Sequence, residues 1–168
     1  KGLLSFGRPT AKRKEIVMPN FLLSEIAKVV SQTFPSNITL EEKVDTGLHN
    51  IIGNGTEIYQ ILLNLCVNAK ESIEGNGKII LSASNLLVDD SNTINYPLLN
   101  RGRFVKFSVS DTGTGIDEEN LSKIFDPYFS TKQKDTGSGL GLYASYGIIK
   151  AHKGHIDVTS RKGIGTTF

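Results

Sequence analysis

Three stretches of the chain carry apolar residues at helical spacing. The first starts near Asn20, a candidate N-cap, and runs to Thr33. The second, residues 56–73, has the clearest apolar stripe, formed by Ile58, Ile61, Leu62, Leu65 and Ala69. The third follows a cluster of glycines and reaches about Ala151. The pattern therefore predicts three amphipathic helices.

Shorter runs of alternating apolar residues predict strands between and after these helices. They cover residues 38–44, 51–52, 78–85 and 103–110, followed by a strand around 156–158 and a last one after the turn at 163–165. Residues 86–102 are polar and predict an irregular excursion, and Asp117 begins a short helix. The predicted order of the main elements is α-β-β-α-β-β-α-β-β.

Composition narrows the class of protein. The chain has 168 residues, enough for one domain with a hydrophobic core, and 38% of them are hydrophobic. A net charge of +2 gives no indication of a nucleic-acid partner. A single cysteine, Cys66, excludes an internal disulfide, and no apolar run approaches the ~20 residues of a membrane span. We therefore expect a reducing, cytoplasmic setting.

Two glycine-rich stretches carry the candidate chemistry. Asp111 follows an apolar strand and precedes Gly113 and Gly115, so its carboxylate could accept a hydrogen bond from the exocyclic amine of adenine. Three glycines between 137 and 141 precede the third helix, whose first amides would suit a phosphate. Neither stretch matches the P-loop or the Rossmann glycine motif. Taken alone, each favours an ordinary surface loop.

Two asparagines, Asn64 and Asn68, lie four residues apart within the second helix. Asparagine is a poor helix former, and residues four apart share one side of a helix. Either these are neutral surface positions, or their amide oxygens line a site for a hard cation or for water bound to phosphate. The nearby glycine-rich stretches favour the second interpretation.

Together these features resemble the ATP-binding catalytic domain of two-component sensor histidine kinases. That family shares a superfamily with DNA gyrase, the Hsp90 chaperones and the mismatch-repair ATPases. Five motifs appear in the family's order: the N box at 64–70, glycine boxes at 111–115, 137–142 and 163–168, and the F box at 125–132. Thr112 stands where the family usually has Asn, which is a modest departure.

The resemblance implies a Bergerat-type ATP-binding fold, an α/β (α+β) two-layer sandwich. Its sheet is mixed and mostly antiparallel, with the helices packed on one face. Residues 20–168 would form the ATP-binding catalytic domain, and residues 1–19 the end of an upstream dimerisation helix and a linker. Excursions such as residues 86–102 occur in some subgroups of the family.

The resemblance also assigns roles within a nucleotide site. Asp111 would bind the adenine amine, with Gly115 and Ile116 along the base and Thr166 in support, and Asn68 would coordinate Mg²⁺. The residues expected at the phosphates are Asn64, Lys70, Lys132, Gly137, Gly139 and Gly141, and the site further includes Gly113, Ser138, Leu140 and Leu142. Residues 130–138 would form a lid that becomes ordered with nucleotide.

The implied function is to bind Mg-ATP and donate its γ-phosphoryl group to a histidine on a separate dimerisation helix, in two-component signal transduction. In the ATP-hydrolysing relatives, a Glu four residues before the Mg²⁺-binding Asn is the general base, and Asn64 occupies that position here. An amide cannot accept a proton from water at neutral pH, which argues against a motor of the gyrase or Hsp90 kind. A serine kinase and a degenerate interaction module are the alternatives.

The expected partners are the protein's own His-bearing dimerisation domain and a response regulator receiver domain, without nucleic acid. We expect the full-length protein to be a homodimer and this chain alone to be a monomer; a membrane anchor in the full-length protein stays open. None of His49, His152 and His155 has the sequence context of a phospho-acceptor. We therefore expect structural roles for all three and no kinase activity of the chain alone.

Overall fold

A computed structural model of the chain describes residues 14–130 and 139–168. The first elements are β1 (Glu15–Val17), α1 (Pro19–Thr33), β2 (Ile38–Val44), β3 (Ile51–Gly53), α2 (Gly55–Ser72) and β4 (Gly77–Val88). A 3₁₀ turn (Thr93–Asn95) is followed by β5 (Gly102–Asp111), α3 (Glu118–Leu121), α4 (Gly141–Ala151), β6 (Thr159–Arg161) and β7 (Gly165–Thr167).

Five of the strands form one sheet in the order β2-β4-β5-β7-β6. β2 runs parallel to β4, and the other three neighbouring pairs are antiparallel. The sheet is therefore mixed and mostly antiparallel, which confirms the prediction. In the β4–β5 pair Asp111 lies opposite Ile79, and in the β6–β7 pair Ser160 lies opposite Thr166.

The hydrophobic core lies between the sheet and the helices. On β4, Ile79, Leu81 and Ala83 alternate with half-buried residues and are at most 2% exposed. They belong to one cluster with buried residues of α1 and α2, among them Ile26 and Cys66. Burial of each large aliphatic side chain contributes roughly 1.5–3 kcal/mol. The predicted arrangement of helices on one face of a two-layer α/β sandwich is confirmed.

The start of α1 differs from the prediction. Pro19 is the first helical residue, Met18 is the N-cap, and Asn20 lies inside the first turn. Proline suits the first helical position because its fixed φ matches the helix and its missing N–H would have had no partner there. The prediction of Asn20 as N-cap is therefore wrong.

The predicted linker also contains a strand. Residues 15–17 form β1, which pairs with β3 in a small antiparallel sheet. Its cross-strand partners Ile16 and Ile52 are 72% and 76% exposed, so this sheet presents an apolar outer face. Residues 1–13 of the predicted dimerisation-helix end and linker lie outside the described residues.

Two further element boundaries differ from the predictions. β4 continues to Val88 because it pairs with β5 as far as Gly102, which shortens the irregular excursion. The strand expected around residues 156–158 lies instead at Thr159–Arg161. Ile156 and Val158 alternate with exposed residues because their side chains are partly buried. The strand itself lies where the chain pairs with the three residues of β7.

No helix in residues 14–130 and 139–168 has both the length and the apolar character needed to span a membrane.

Candidate nucleotide-binding site

The carboxylate of Asp111 is held against the end of α2. Its Oδ1 accepts hydrogen bonds from the Ser72 hydroxyl at 3.0 Å and from the Gly113 N–H at 2.8 Å. Burial raises the pKa of Asp111, and hydrogen bonds from Gly113, Ser72 and the Thr166 backbone oppose that rise. Asp111 is thus a partly desolvated carboxylate in a fixed orientation, which is what recognition of a ligand amine requires.

The turn after Asp111 packs too closely against its surroundings for larger residues. A Cβ on Gly113 would collide with the hydroxyl and the backbone of Ser72. Gly115 has a φ of +70°, and a Cβ there would collide with the Arg161 carbonyl. The first glycine box is therefore wedged between the end of α2 and the end of β6.

A serine on β6 joins two residues predicted separately. The Ile116 N–H donates to the Ser160 hydroxyl at 2.8 Å. The Ser160 and Thr166 hydroxyl oxygens lie 2.8 Å apart, and Thr166 is only 5% exposed. Since the Thr166 backbone also bonds to Asp111, this network braces both the carboxylate and the turn beside it.

One side of α2 carries a row of three polar residues, Asn64, Asn68 and Ser72, each four positions from the next. At 1.5 Å per residue the row is about 12 Å long. Asn64 Nδ2 donates to the buried hydroxyl of Ser145 on α4 at 3.1 Å. Within the described ranges the Asn68 side chain has no hydrogen-bond partner. The row thus has Asp111 at one end, and in its middle an amide without a partner in the described part of the chain.

The far end of the row meets the start of α4. A Cβ on Gly141, the first residue of α4, would lie 2.5 Å from Asn64 Oδ1. Leu140 is the N-cap, and Leu142 packs against the core. The Gly139 carbonyl accepts from the Tyr128 N–H at 3.1 Å, which ties this segment to the F box. Backbone amides at a helix start favour anions, and here the start of α4 lies beside Asn64.

Comparison with known families agrees with this geometry. The family model described as "Histidine kinase-, DNA gyrase B-, and HSP90-like ATPase" matches residues 53–168. The chain belongs to this family. The match includes α2, the Asp111 turn, α4 and the β6–β7 pair, which are the elements that form the candidate site of this histidine kinase-like ATPase domain.

Curated relatives of the domain are sensor kinases. Sensor kinase CckA of Brucella abortus (strain 2308) is 36% identical over 168 residues, which cover 99% of this chain and 18% of the relative. Sensor histidine kinase ZraS of Escherichia coli (strain K12) is 35% identical over 167 residues, 99% of this chain and 32% of the relative. The chain therefore spans less than a third of the length of either relative.

Solved histidine kinases share the fold. The catalytic domain of histidine kinase ThkA has a TM-score of 0.72 at 28% identity, covering 93% of this chain and 92% of that domain. Full-length ShkA in complex with AMPPNP has a TM-score of 0.75 at 27% identity, over 96% of this chain and 31% of that chain. The chain has the architecture of an ATP-binding catalytic domain of a sensor histidine kinase, as the sequence motifs predicted.

One predicted residue of the ATPase domain lies apart from the site. The ammonium group of Lys70 is 5.3 Å from the centroid of the Phe34 ring. Residues two apart do not share a helix face, so Lys70 and Asn68 project from different sides of α2. We therefore leave Lys70 out of the proposed site. Lys132, Gly137, Ser138 and all of the predicted lid except Ser130 lie outside the described residues.

Two residues of the site were not predicted. Ser72 continues the four-residue spacing of Asn64 and Asn68, so that spacing could have revealed it. No sequence pattern indicated Ser160, because its contact with Ile116 joins residues 44 positions apart. Only the fold of β6 beside the Asp111 turn creates that contact.

The histidine near the end of α4 has a structural position. His152 Nε2 accepts a hydrogen bond from the Asn54 N–H at 2.9 Å, so its proton lies on Nδ1, which donates to the Ile148 carbonyl at 2.9 Å. Asn54 is the N-cap of α2. His152 therefore joins the start of α2 to the end of α4, away from Asp111.

Proposed function

We propose that this domain binds Mg-ATP and donates the γ-phosphoryl group to a histidine on a separate dimerisation helix, in two-component signal transduction. The observation that carries the proposal is the polar row on α2. It runs from a carboxylate suited to an adenine amine to a helix start suited to phosphate. Its length of about 12 Å is comparable to the span from purine to phosphates in an extended nucleoside triphosphate.

The Asp111 end of the polar row is suited to a purine that carries an amino group. The Asp111 carboxylate accepts and does not donate when ionised. Gly115 and Ile116 lie beside it and would line the base, while Thr166 braces the carboxylate from β7. Because residue 113 is glycine, the backbone of the turn can pack directly against Ser72.

The phosphate end supports binding of a hard cation together with anions. The half-buried Asn68 side chain has no hydrogen-bond partner among the described residues, so its oxygen would be a ligand for Mg²⁺. Held by Asn68, Mg²⁺ would neutralise negative charge on the phosphates. Asn64 and the first amides of α4, from Leu140 to Leu142, would face the phosphates.

Transfer to a protein acceptor is favoured over hydrolysis. Asn64 holds the position that the resemblance assigns to the general base of ATP-hydrolysing relatives. Its amide donates to Ser145 and cannot accept a proton from water at neutral pH. The domain would therefore position ATP for attack by an imidazole carried on another helix.

The relatives support the proposed setting. They are named as sensor kinases, and a solved complex joins histidine kinase ThkA to response regulator protein TrrA, with a TM-score of 0.67 and 25% identity to this chain. We propose a response regulator and a His-bearing dimerisation domain as partners, Mg-ATP as the phosphoryl donor, a homodimeric full-length protein and a cytoplasmic location for this domain. Residues 1–19 would belong to the end of the dimerisation helix and the following linker, except for the β1 strand.

The test is phosphoryl transfer in trans. The domain is incubated with γ-³²P-ATP and Mg²⁺, with and without the His-bearing hairpin of its full-length protein. We expect label on the hairpin only, lost in acid and stable in base as for a phosphoramidate. The rate should be reduced relative to the tethered protein because the local concentration of acceptor is lower.

Substitution of Asn68 by Ala should abolish this labelling. Acid-stable label on Ser or Thr would instead identify a serine kinase, and release of phosphate without label would identify an ATPase. Absence of ATP binding by the wild-type domain would identify a degenerate interaction module.

A further inference from the structure

Ser72, the last residue of α2, touches the Asp111 turn with two different groups. Its hydroxyl lies 3.0 Å from Asp111 Oδ1 and 2.8 Å from the Ala69 carbonyl. Its own carbonyl accepts a hydrogen bond from the Thr114 N–H at 2.9 Å. The carbonyl thus fixes the backbone of the turn, whereas the hydroxyl fixes the carboxylate.

We propose that Ser72 is a positioning residue that makes the site selective for 6-amino purines, an inference that rests on the proposed contact between Asp111 and adenine. Ser72 and Gly113 both bond to Oδ1 and so fix the orientation of the carboxylate, which leaves Oδ2 as the oxygen that would accept from the ligand. The hydroxyl also stabilises the ionised carboxylate, which can accept from an amino group and repels the oxygen of a 6-oxo purine.

The hydrogen atom of the Ser72 hydroxyl links the orientation of the Asp111 carboxylate to its ionisation. A serine hydroxyl has a single hydrogen, and two acceptors, Asp111 Oδ1 and the Ala69 carbonyl, compete for it. When Asp111 is ionised, the hydrogen bond to the charged oxygen is the stronger one. When Asp111 is protonated, its own O–H becomes a donor, and the serine hydrogen turns to Ala69. Ser72 therefore favours the state of Asp111 that accepts from adenine.

The geometry allows the hydroxyl to be removed by itself. In Ser72→Ala the Gly113 N–H still bonds to Oδ1, and the carbonyl of residue 72 still holds Thr114. The matched control is Ser110→Ala. Ser110 precedes Asp111, and its hydroxyl accepts from Thr167 at 2.9 Å, in a bond of similar length and burial that does not involve the carboxylate.

The experiment compares ATP with purine riboside triphosphate, which lacks the 6-amino group, by calorimetric titration in the presence of Mg²⁺. In Ser72→Ala we expect the affinity for ATP to fall about fivefold to tenfold, less than for loss of the adenine contact itself, because Gly113 still holds the carboxylate. The affinity for the analogue should change less than about twofold. Ser110→Ala should keep the wild-type ratio of the two affinities.

A pH profile gives a second readout that a purely structural role would not move. The Ser72 hydrogen bond opposes the effect of burial on the pKa of Asp111. Its removal should therefore shift the acid-side loss of ATP binding to higher pH, while binding of the analogue keeps the wild-type profile.

The outcomes separate this inference from the proposed function. Equal affinities of the wild-type domain for ATP and the analogue would refute the adenine contact itself. A wild-type preference that Ser72→Ala retains, or an equal loss of both ligands with an unmoved pH profile, would refute the role of Ser72 alone. If Ser72→Ala binds neither ligand, Ser72→Thr decides, since it keeps the hydroxyl: a retained preference supports the inference, and loss of preference with analogue binding intact overturns it.

Discussion

At the scale of a single residue, the proposed role of Asp111 and its burial favour different protonation states of its carboxyl group. Recognition of an amino group requires its carboxylate to be ionised, whereas burial disfavours the charge and raises its pKa. Ser72, Gly113 and the Thr166 backbone recover part of that energy by donating to it. The residue that confers specificity is therefore expected to lower the stability of the fold at neutral pH.

Substitution of Asp111 by Asn should separate binding from stability. We expect the affinity for ATP to fall by about tenfold to a hundredfold, since a hydrogen bond to a charged group contributes roughly 1.5–3 kcal/mol. The free energy of unfolding at pH 7 should be equal or higher, because no buried charge remains. Calorimetry and urea denaturation measure the two quantities.

The pH dependence of stability has a defined sign. The raised pKa means that the native carboxyl keeps a proton at pH values at which the unfolded chain has lost it. The contribution of Asp111 to stability is therefore present at low pH and is lost as the pH rises through the native pKa. The difference in unfolding free energy between wild type and Asp111→Asn, followed from about pH 3 to pH 7, should show this loss. A difference independent of pH would contradict the assignment.

At the scale of elements, the approach of α4 to α2 controls the phosphate end of the site. Gly141 and Gly147 both lie on α4, but only Gly141 faces Asn64, and a Cβ on Gly147 would meet nothing within 4 Å. The same substitution should therefore affect ATP binding at position 141 and only the stability of the fold at position 147.

Gly141→Ala should displace the Asn64 side chain, which the added Cβ would meet first, and weaken ATP binding by about tenfold or more, since loss of one positioned charge-assisted contact has this magnitude. Gly147→Ala should raise the free energy of unfolding by roughly 0.5–1 kcal/mol, because Ala is the better helix former, and leave ATP affinity unchanged. Titration with ATP and thermal melting of both variants check the pair. If both variants bind ATP with the same affinity, the contact between Gly141 and Asn64 does not control the phosphate end of the site.

The elements that sequence predicted well are those whose signal is local. The predicted helix at 56–73 differs by one residue at each end from Gly55–Ser72, because its apolar stripe and its cap at Asn54 lie within the element. The strand expected at 156–158 was misplaced, since its register depends on β7. Lys70 was predicted at the phosphates from a motif. On α2, however, its side chain projects from a different side than Asn68, and its ammonium group lies over the Phe34 ring.

At the scale of the whole molecule, the site draws on segments far apart in the chain. The ends of α2, β5 and β6 meet around Asp111, so Ser72 bonds to a residue 39 positions away. A sequence pattern records each segment but not the contacts between segments. The motifs were therefore predicted, whereas the contacts that Ser72 and Ser160 make between them were not.

Binding of nucleotide across these segments should stabilise the domain as a unit. At a Mg-ATP concentration of about a hundred times the Kd, linkage adds roughly 2.7 kcal/mol, which corresponds to a rise in Tm of about 5–10 °C for a domain of this size. Removal of Mg²⁺ with EDTA should reduce the rise substantially, because the phosphates would lose their counter-charge. Differential scanning calorimetry provides the measurement, and a Tm insensitive to both additions would contradict the proposed ligand.

The place of β7 has a consequence for synthesis of the chain on the ribosome. β7 lies between β5 and β6, with Ser110 opposite Thr167, although residues 165–167 are translated more than fifty residues after β5. Until those residues emerge, β5 has an unpaired edge and Asp111 lacks its brace from Thr166. A nascent chain should therefore be unable to bind ATP, and its exposed strand edge should be the surface that a chaperone must protect from pairing with other chains.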